Sequence, residues 1–331
     1  MSGIPSIMSI LVIRPGPETT IQSAPRHGWR HVGMPAAGPA DPLSMTLANR
    51  LVENAPATSA LEILLGPVEL QFDVDTHIAI TGGSGGVVIG GRSVPPHQRI
   101  AVTAGNRMTL ARATIGARMY VAVAGGLRAA SLLGSASTYL PAAIGGHQGR
   151  SLVADDRLSI AQVQSVENDL AATSGPPQTP RYLIPFLSHD WMLRCVRGPE
   201  YDRLTFASRD RCFGESWMVG VRCGRMGIRL CGEPLVMGDA ESAMTSEPVF
   251  PGTVQCPPDG MPFVLSVDAQ TTGGYPRIAN IIAADRHRLG QIRTGDRVHL
   301  REVTLQQARQ INREKQSHLQ SWLGKSGANG T

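Results

Sequence analysis

The sequence predicts a mainly β protein of two domains, on three observations. Short apolar runs bounded by Gly, Pro or Asp recur along the chain. Turn residues are frequent, with 37 glycines and 24 prolines. Several motifs of the first half return, in the same order, in the second. Many short strands with such punctuation favour barrels or sandwiches over alternating strands and helices. The 331 residues suit two domains at roughly 100–200 residues each.

The elements follow in chain order. A strand is expected at Ile10-Leu11-Val12-Ile13. The residues ahead of it lack the basic start and apolar run of a signal peptide, and they read either as an extension or as sequence before a start at Met8. Asp41 should cap a first helix, with Pro42 in its first turn and Leu43, Leu47 and Leu51 on one face. Strands are expected at Leu61-Glu62-Ile63-Leu64-Leu65, Val68-Glu69-Leu70-Gln71-Phe72, His77-Ile78-Ala79-Ile80 and Met119-Tyr120-Val121-Ala122-Val123. Residues 165–180, with Ser174-Gly175-Pro176-Pro177 and little apolar content, read as a linker. The domains are then 9–164 and 181–303, followed by a helical tail over 304–331. The second domain should hold strands at Phe263-Val264-Leu265-Ser266-Val267 and Arg297-Val298-His299-Leu300, and a helix from Arg277 to Leu289. Thr304 and Gln307 form a capping-box pattern for the tail helix, which runs toward Trp322.

The internal repeat supports the two-domain division. Arg14-Pro15-Gly16-Pro17-Glu18 is answered by Arg197-Gly198-Pro199-Glu200, and Val32-Gly33 by Val219-Gly220. Glu62 before Gly66-Pro67 is answered by Glu247 before Pro251-Gly252, and Gly105-Asn106-Arg107 by Gly295-Asp296-Arg297. Four pairs in order, offset by about 185 residues, point to related domains. Shared turn chemistry is the competing explanation.

Composition narrows the function. The net charge is +5 and carried by arginine, since Lys315 and Lys325 are the only lysines. No basic run is interleaved with aromatics, which argues against nucleic acid. No stretch approaches the roughly 20 apolar residues that span a membrane. There is no P-loop motif, and no lysine in the body of the chain for a Schiff base or for biotin. The five cysteines, Cys195, Cys212, Cys223, Cys231 and Cys256, include no C-x-x-C pair and read as reduced thiols of a cytoplasmic protein. No H-E-x-x-H or G-x-S-x-G motif is present, so neither a metal site nor a serine triad is expected.

Three segments of the second half carry candidate chemistry. Gln270-Thr271-Thr272-Gly273-Gly274-Tyr275-Pro276, ahead of the expected helix, joins hydroxyls and glycines to a helix start that would favour an anion. The same features would serve an ordinary strand-to-helix turn. Arg225 and Met226 lie between Gly224 and Gly227, where a guanidinium could clamp an acid or simply face solvent. Glu247 could act as acid or base and Gln255 as a neutral donor, or both could belong to a turn joining strands. Arg225, Gln255 and Glu247 are therefore the candidate catalytic residues. Met226, Gln270, Thr271, Thr272, Gly273, Gly274 and Tyr275 are the candidates for binding substrate. In the first half, Asp41 reads as a cap, the stretch Gly82-Gly83-Ser84-Gly85-Gly86 as a weak anion cradle, and His147 as a lone histidine beside glycines.

Together these segments resemble the biotin-dependent carboxyltransferase-like family, which includes the C subunit of 5-oxoprolinase, allophanate hydrolase subunit 2 and the Kip-inhibitor antagonist. The resemblance runs from about Ile10 to Val303. It is carried by Gly38-Pro39-Ala40-Asp41-Pro42 with Leu47-Ala48-Asn49-Arg50-Leu51-Val52, by Ala60-Leu61-Glu62-Ile63, and by Val123-Ala124-Gly125-Gly126-Leu127. In the second half it is carried by Arg225-Met226-Gly227, Pro251-Gly252-Thr253-Val254-Gln255 with Pro257-Pro258-Asp259-Gly260, and residues 270–276. It implies two cyclophilin-like β-barrel domains. It also implies work beside a Kip-inhibitor-type partner, which is the B subunit of 5-oxoprolinase, and beside the A subunit of that enzyme. In the 5-oxoprolinase members the assembly opens the lactam of 5-oxoproline to glutamate with ATP. In urea amidolyase the similar region moves a carboxyl group from biotin, held on a separate carrier, to urea. A third role in the family is non-catalytic, as an antagonist of the Kip-inhibitor-type partner. Both reactions build charge on an amide oxygen, so one oxyanion site could serve either.

The chain departs from the family pattern at four positions. Ser23 stands where the family usually carries an acid, Gly224 where it usually carries Asp or Asn, Gly83-Ser84 where an acid is frequent, and Ala136 where an arginine is common between two serines. These changes imply either a different substrate or lost activity.

Overall fold

A computed structural model of the chain describes residues 9–161, 177–238 and 244–324. The expected linker falls mostly on 165–176, which lies outside the described residues, as do Met8 and Lys325. The chain separates into two compact units. The first takes the described residues up to His27 and then Ala37–Leu187. The second takes Gly28–Ala36 and the described residues from Ser188 onward, so a short early segment belongs with the C-terminal half.

Among the described residues, the first unit holds eleven strands and one α-helix: β1 (Ser9–Arg14), β2 (Glu18–Gln22), α1 (Pro42–Leu51), β3 (Ala60–Leu64), β4 (Val68–Phe72), β5 (Thr76–Ser84), β6 (Val87–Ile89), β7 (Arg92–Val94), β8 (Arg99–Val102), β9 (Arg107–Leu110), β10 (Ile115–Val123) and β11 (Arg157–Ser159). They form a six-stranded sheet in the order β11-β1-β4-β9-β6-β7 and a five-stranded sheet in the order β2-β3-β10-β5-β8. The pairings are antiparallel, which suits short strands joined by tight turns. One apolar cluster draws on both sheets, with Ile10, Val12, Leu70 and Phe72 from the first and Ile63 and Val121 from the second. Alternate residues of β4 are buried, as the period of two requires.

Helix α1 begins where the cap signal placed it. The Asp41 carboxylate accepts from the Ser44 backbone N–H at 3.0 Å and from the Ser44 hydroxyl at 2.6 Å. Such a cap contributes about 1 kcal/mol. Leu43, Leu47 and Leu51 are buried, and the helix packs on β5 and β10.

The second unit holds β12 (Asp190–Arg197), α2 (Phe206–Gly214), β13 (Ser216–Cys223), β14 (Gly227–Cys231), β15 (Glu247–Pro248), β16 (Thr253–Gln255), β17 (Phe263–Leu265), β18 (Thr272–Gly273), β19 (Arg277–Ile281), β20 (Arg297–Glu302) and α3 (Leu305–Leu323). Seven strands close a barrel in the order β12-β19-β16-β17-β14-β13-β20. Strands β12 and β20 are parallel, and β15 pairs with β18 as a separate ribbon.

One expected helix is corrected. Residues 277–281 form strand β19, and only Arg286–Gly290 turn, as a 3-10 helix. Tertiary pairing overrides the helical pattern here: Cys195 of β12 lies opposite Ile281, and Val254 of β16 opposite Ala279. Without β19 the barrel would be open between β12 and β16. Helix α2 lies where the sequence raised no expectation of one. Its cap is Thr205, whose hydroxyl accepts from the Ser208 backbone N–H at 3.4 Å. Helix α3 carries the full capping box, with Gln307 answering Thr304.

The repeated motifs occupy some, not all, equivalent positions. Arg14 and Arg197 each end a strand, and Arg107 and Arg297 each begin one. Val32 ends a 3-10 turn, however, whereas Val219 lies within β13.

Candidate functional site

The second unit gathers the candidate residues around the 270–275 turn. This turn leaves β17 through a loop, forms β18, and enters β19. Because β19 is a strand, no helix start adds its dipole here. What holds the turn is a ladder of backbone bonds. The Val249 N–H donates to the Thr271 carbonyl at 3.0 Å, and the Met244 N–H to the Gly274 carbonyl at 3.0 Å. Glu247 lies opposite Gly273 in the β15–β18 ribbon. The Cys256 N–H donates to the Pro276 carbonyl at 2.9 Å.

Gln255 sits behind the turn. The register of β16 on β19 shifts between Val254 and Gln255, and a bulge of this kind re-aims the side chain at a strand end. Its amide donates to the Tyr275 carbonyl at 3.3 Å, and its side-chain oxygen accepts from the Gln270 amide at 3.4 Å. Gln255 is buried, whereas Gln270, Thr272 and Tyr275 are exposed. A β-carbon at 273 would stand 2.6 Å from the Gln255 amide nitrogen, so a side chain there would push that amide aside.

Arg225 and Met226 occupy the short connection between β13 and β14. The Met226 carbonyl accepts from the Ser266 N–H at 3.2 Å. The Arg225 guanidinium forks onto Asp268, with Nε to Oδ2 at 2.7 Å and Nη2 to Oδ1 at 2.9 Å. The side chains are only 5% and 3% exposed. The Asp268 N–H in turn donates to the Arg225 carbonyl at 2.9 Å. The expectation of an arginine clamping a substrate acid therefore meets a fork already closed on a protein carboxylate two residues before Gln270. This pair joins the β13–β14 connection to the start of the turn.

A second ion pair does similar work on the other side. Arg277 reaches Glu200 through Nε at 2.9 Å and Nη2 at 2.6 Å, and its Nη1 donates to the Pro248 carbonyl at 3.2 Å. The bonds from Arg277 hold the Glu200 carboxyl below its ordinary range. Arg30, from the early segment that joins this unit, donates to the Val249 carbonyl and lies over the Phe250 ring at 5.1 Å. The sequence alone does not mark Asp268, Arg277 or Arg30 as part of the site. Each acts through a partner distant in the chain, and no local motif announces that.

In the first unit the structure assigns supporting roles to the sequence candidates. Glu62, Tyr120 and Arg118 are buried together. The Tyr120 hydroxyl donates to Glu62 Oε2 at 2.7 Å and accepts from the Asp41 N–H at 2.7 Å. Glu62 also accepts from the Ala40 N–H at 2.8 Å and pairs with Arg118 at 3.2 Å. The network fixes the loop that leads into α1. Burial pushes the Tyr120 phenol well above its usual pKa, with the Glu62 charge adding to the shift. The Gly82–Gly86 stretch belongs to the end of β5 and its turn into β6, and a β-carbon on Gly85 would stand 2.7 Å from the Ala111 carbonyl. Gly85 therefore serves a close approach of two backbone segments. His147 Nε2 lies 3.3 Å from Asp156, which Arg150 also grips at 2.7 Å through each oxygen.

Two of the four departures meet in space. The Ala136 N–H donates to the Ser23 hydroxyl at 3.0 Å. The two positions at which the resemblance led one to expect charges are thus neighbours in the fold, and a neutral contact joins them. Close by, the buried Arg26 guanidinium donates to the Leu132 carbonyl at 3.0 Å and to the Ser137 carbonyl at 2.8 Å.

Comparisons with known proteins agree with this architecture. Residues 32–302 match the family described as the carboxyltransferase domain, subdomains A and B. The chain is 37% identical to the 5-oxoprolinase C subunit of Escherichia coli (strain K12), over 93% of this chain and 96% of that protein. It is 34% identical to the 5-oxoprolinase C subunit of Haemophilus influenzae, over 91% of this chain and 93% of that protein. Among solved structures, the K. lactis urea amidolyase superposes with a TM-score of 0.88 at 26% identity, covering 97% of this chain and 20% of the larger protein.

Proposed function

The chain belongs to the carboxyltransferase domain family, subdomains A and B, and on that premise we propose that it is one component of a cytoplasmic, ATP-driven hydrolase that opens 5-oxoproline to glutamate. The observation that carries the proposal is the end-to-end match with the C subunit of 5-oxoprolinase, at 37% identity over 96% of that protein. The urea amidolyase match covers only a fifth of a much longer chain. In this reading the protein works beside a Kip-inhibitor-type partner, the B subunit of such an enzyme, and beside its A subunit.

Opening a lactam requires a donor for the oxygen that gains charge, a group to move a proton, and a rigid frame for both. The 270–275 turn then receives the amide, with Thr271, Thr272 and Met226 around it. Gln255 supplies the neutral amide donor behind the turn. Glu247 is the acid or base, one strand away in the β15–β18 ribbon. Arg225 acts as a positioning residue, through Asp268. ATP is assigned to one of the partners, because this sequence carries no P-loop motif.

The high structural likeness to urea amidolyase supports one second reading, a carboxyltransferase served by biotin on a separate carrier. One experiment separates the two. The chain is purified with its neighbouring subunits and assayed for ATP hydrolysis and glutamate release on adding 5-oxoproline, and in parallel for carboxyl transfer to urea from free carboxybiotin. Glutamate formation that disappears when this chain is left out supports the proposal. Carboxyl transfer without glutamate formation replaces it with the second reading. A complex that assembles but catalyses neither reaction leaves the antagonist role instead.

A further inference from the structure

We propose that the groove between the barrel and helix α3 is a binding site for a small dianion, distinct from the 270–275 turn. The groove is open to solvent and holds about 850 Å³, a volume in the range of small-molecule sites. Its floor is the outer face of the parallel pair β12–β20, where Arg194 and Arg301 stand directly opposite one another. Like charges opposed across a strand pair are destabilising unless something offsets them. Asp285 offsets Arg194, with bonds to Nε at 2.9 Å and to Nη2 at 2.6 Å. Among the described residues no carboxylate comparably serves Arg301, whose Nη1 lies 3.8 Å from the Met192 sulfur.

The wall is one face of α3, where Gln306, Gln310 and Arg313 recur at helical spacing. Among the described residues, neither Arg301 nor Arg313 has a carboxylate within ion-pair distance, and the Glu314 carboxylate that also lines the groove accepts from the Gln310 amide at 2.6 Å. The helix itself is anchored independently. Ala308 is buried with Ile282 and Ala284, Ile311 packs against that cluster, and the Lys315 ammonium donates to the Ala284 carbonyl at 2.6 Å. A fixed helix thus brings Arg313 to the same groove as Arg301 of the barrel, with Gln306 and Gln310 also in its lining. Planar guanidinium forks match carboxylate and phosphate oxygens alike. A ligand carrying two negative charges would offset both arginines at once.

Calorimetric titration of the full chain at low ionic strength tests this, with glutarate and inorganic phosphate as separate probes. Saturable binding of either probe is expected, and the two titrations identify which oxyanion the groove prefers. Arg301→Ala and Arg313→Ala should each weaken binding at least about tenfold, the loss expected for one charged hydrogen-bonding partner. Arg309→Ala, on α3 but outside the groove lining, should bind as the unaltered chain does. All three substitutions fall on exposed side chains, and unchanged thermal unfolding without ligand verifies that the fold is intact. Absence of saturable binding of both probes overturns the proposal. So does an equal loss in Arg309→Ala, which would mean that a diffuse positive field was responsible.

Discussion

Replacing Arg225 by methionine should destabilise the second unit before it affects any chemistry. The guanidinium and the Asp268 carboxylate make two hydrogen bonds of 2.7 and 2.9 Å with almost no solvent exposure. At about 4 Å between charge centres and an effective dielectric of about 20, their attraction is about 4 kcal/mol. Removing one partner strands a buried carboxylate, so Arg225→Met should cost about 3–5 kcal/mol in equilibrium urea unfolding. Arg225→Lys keeps the charge but loses the fork, and should fall between the two. The double variant Arg225→Met with Asp268→Leu removes both ions and should recover most of the loss, giving a coupling energy of at least about 2 kcal/mol. The consequence for function is specific: a single substitution at Arg225 confounds stability with turnover, whereas the double variant isolates the positioning role. If Arg225→Met costs less than about 1 kcal/mol, or the double variant is no more stable than the worse single one, the pair does not brace the turn.

The other predictions rest on separate features. Tyr120→Phe leaves the Asp41 N–H and one Glu62 oxygen short of a buried partner, and should lower stability by about 1–3 kcal/mol in denaturant melts. Gly273→Ala drives a β-carbon into the Gln255 amide. It should reduce 5-oxoproline turnover of the assembled complex by about a hundredfold, the order expected for a displacement near 1 Å, without loss of partner binding in pull-downs. The bonds from Arg150 hold the Asp156 carboxyl down to about 2, against 3.8 unfolded. A depressed carboxylate stabilises the fold above its unfolded pKa, so this contribution should be present above about pH 4 and fade as pH falls toward 2. An Asp156→Asn variant should show a correspondingly flatter acid unfolding curve. Burial pushes the Cys256 thiol up to about 11 and that of Cys212 to about 12, and raises Cys195 further still. A chromogenic disulfide at pH 8 should therefore spare these three in the native chain and leave only the half-buried Cys223 and Cys231 to react, while all five react after unfolding.

Local chemistry made part of this protein legible from its sequence. The period-two burial of β4, the Asp41 cap with Pro42 behind it, and the Thr304–Gln307 capping box each depend on residues within a few positions of one another, so the string of letters contains the whole cause. The 270–275 turn stood out too, because glycines and hydroxyls cluster there in one stretch. Three things were decided only by the tertiary structure. The 277–289 stretch has a helical pattern, yet β12 and β16 offer its first residues barrel pairing on both edges, and those bonds outweigh a weak propensity. Arg225 reads as an open clamp until the chain brings Asp268 to it from 43 positions away. Ser23 and Ala136 read as two separate losses of charge until folding sets one against the other. In each case the deciding partner is distant in the chain, and only the closed fold determines which distant groups must satisfy a buried charge or an unpaired strand edge.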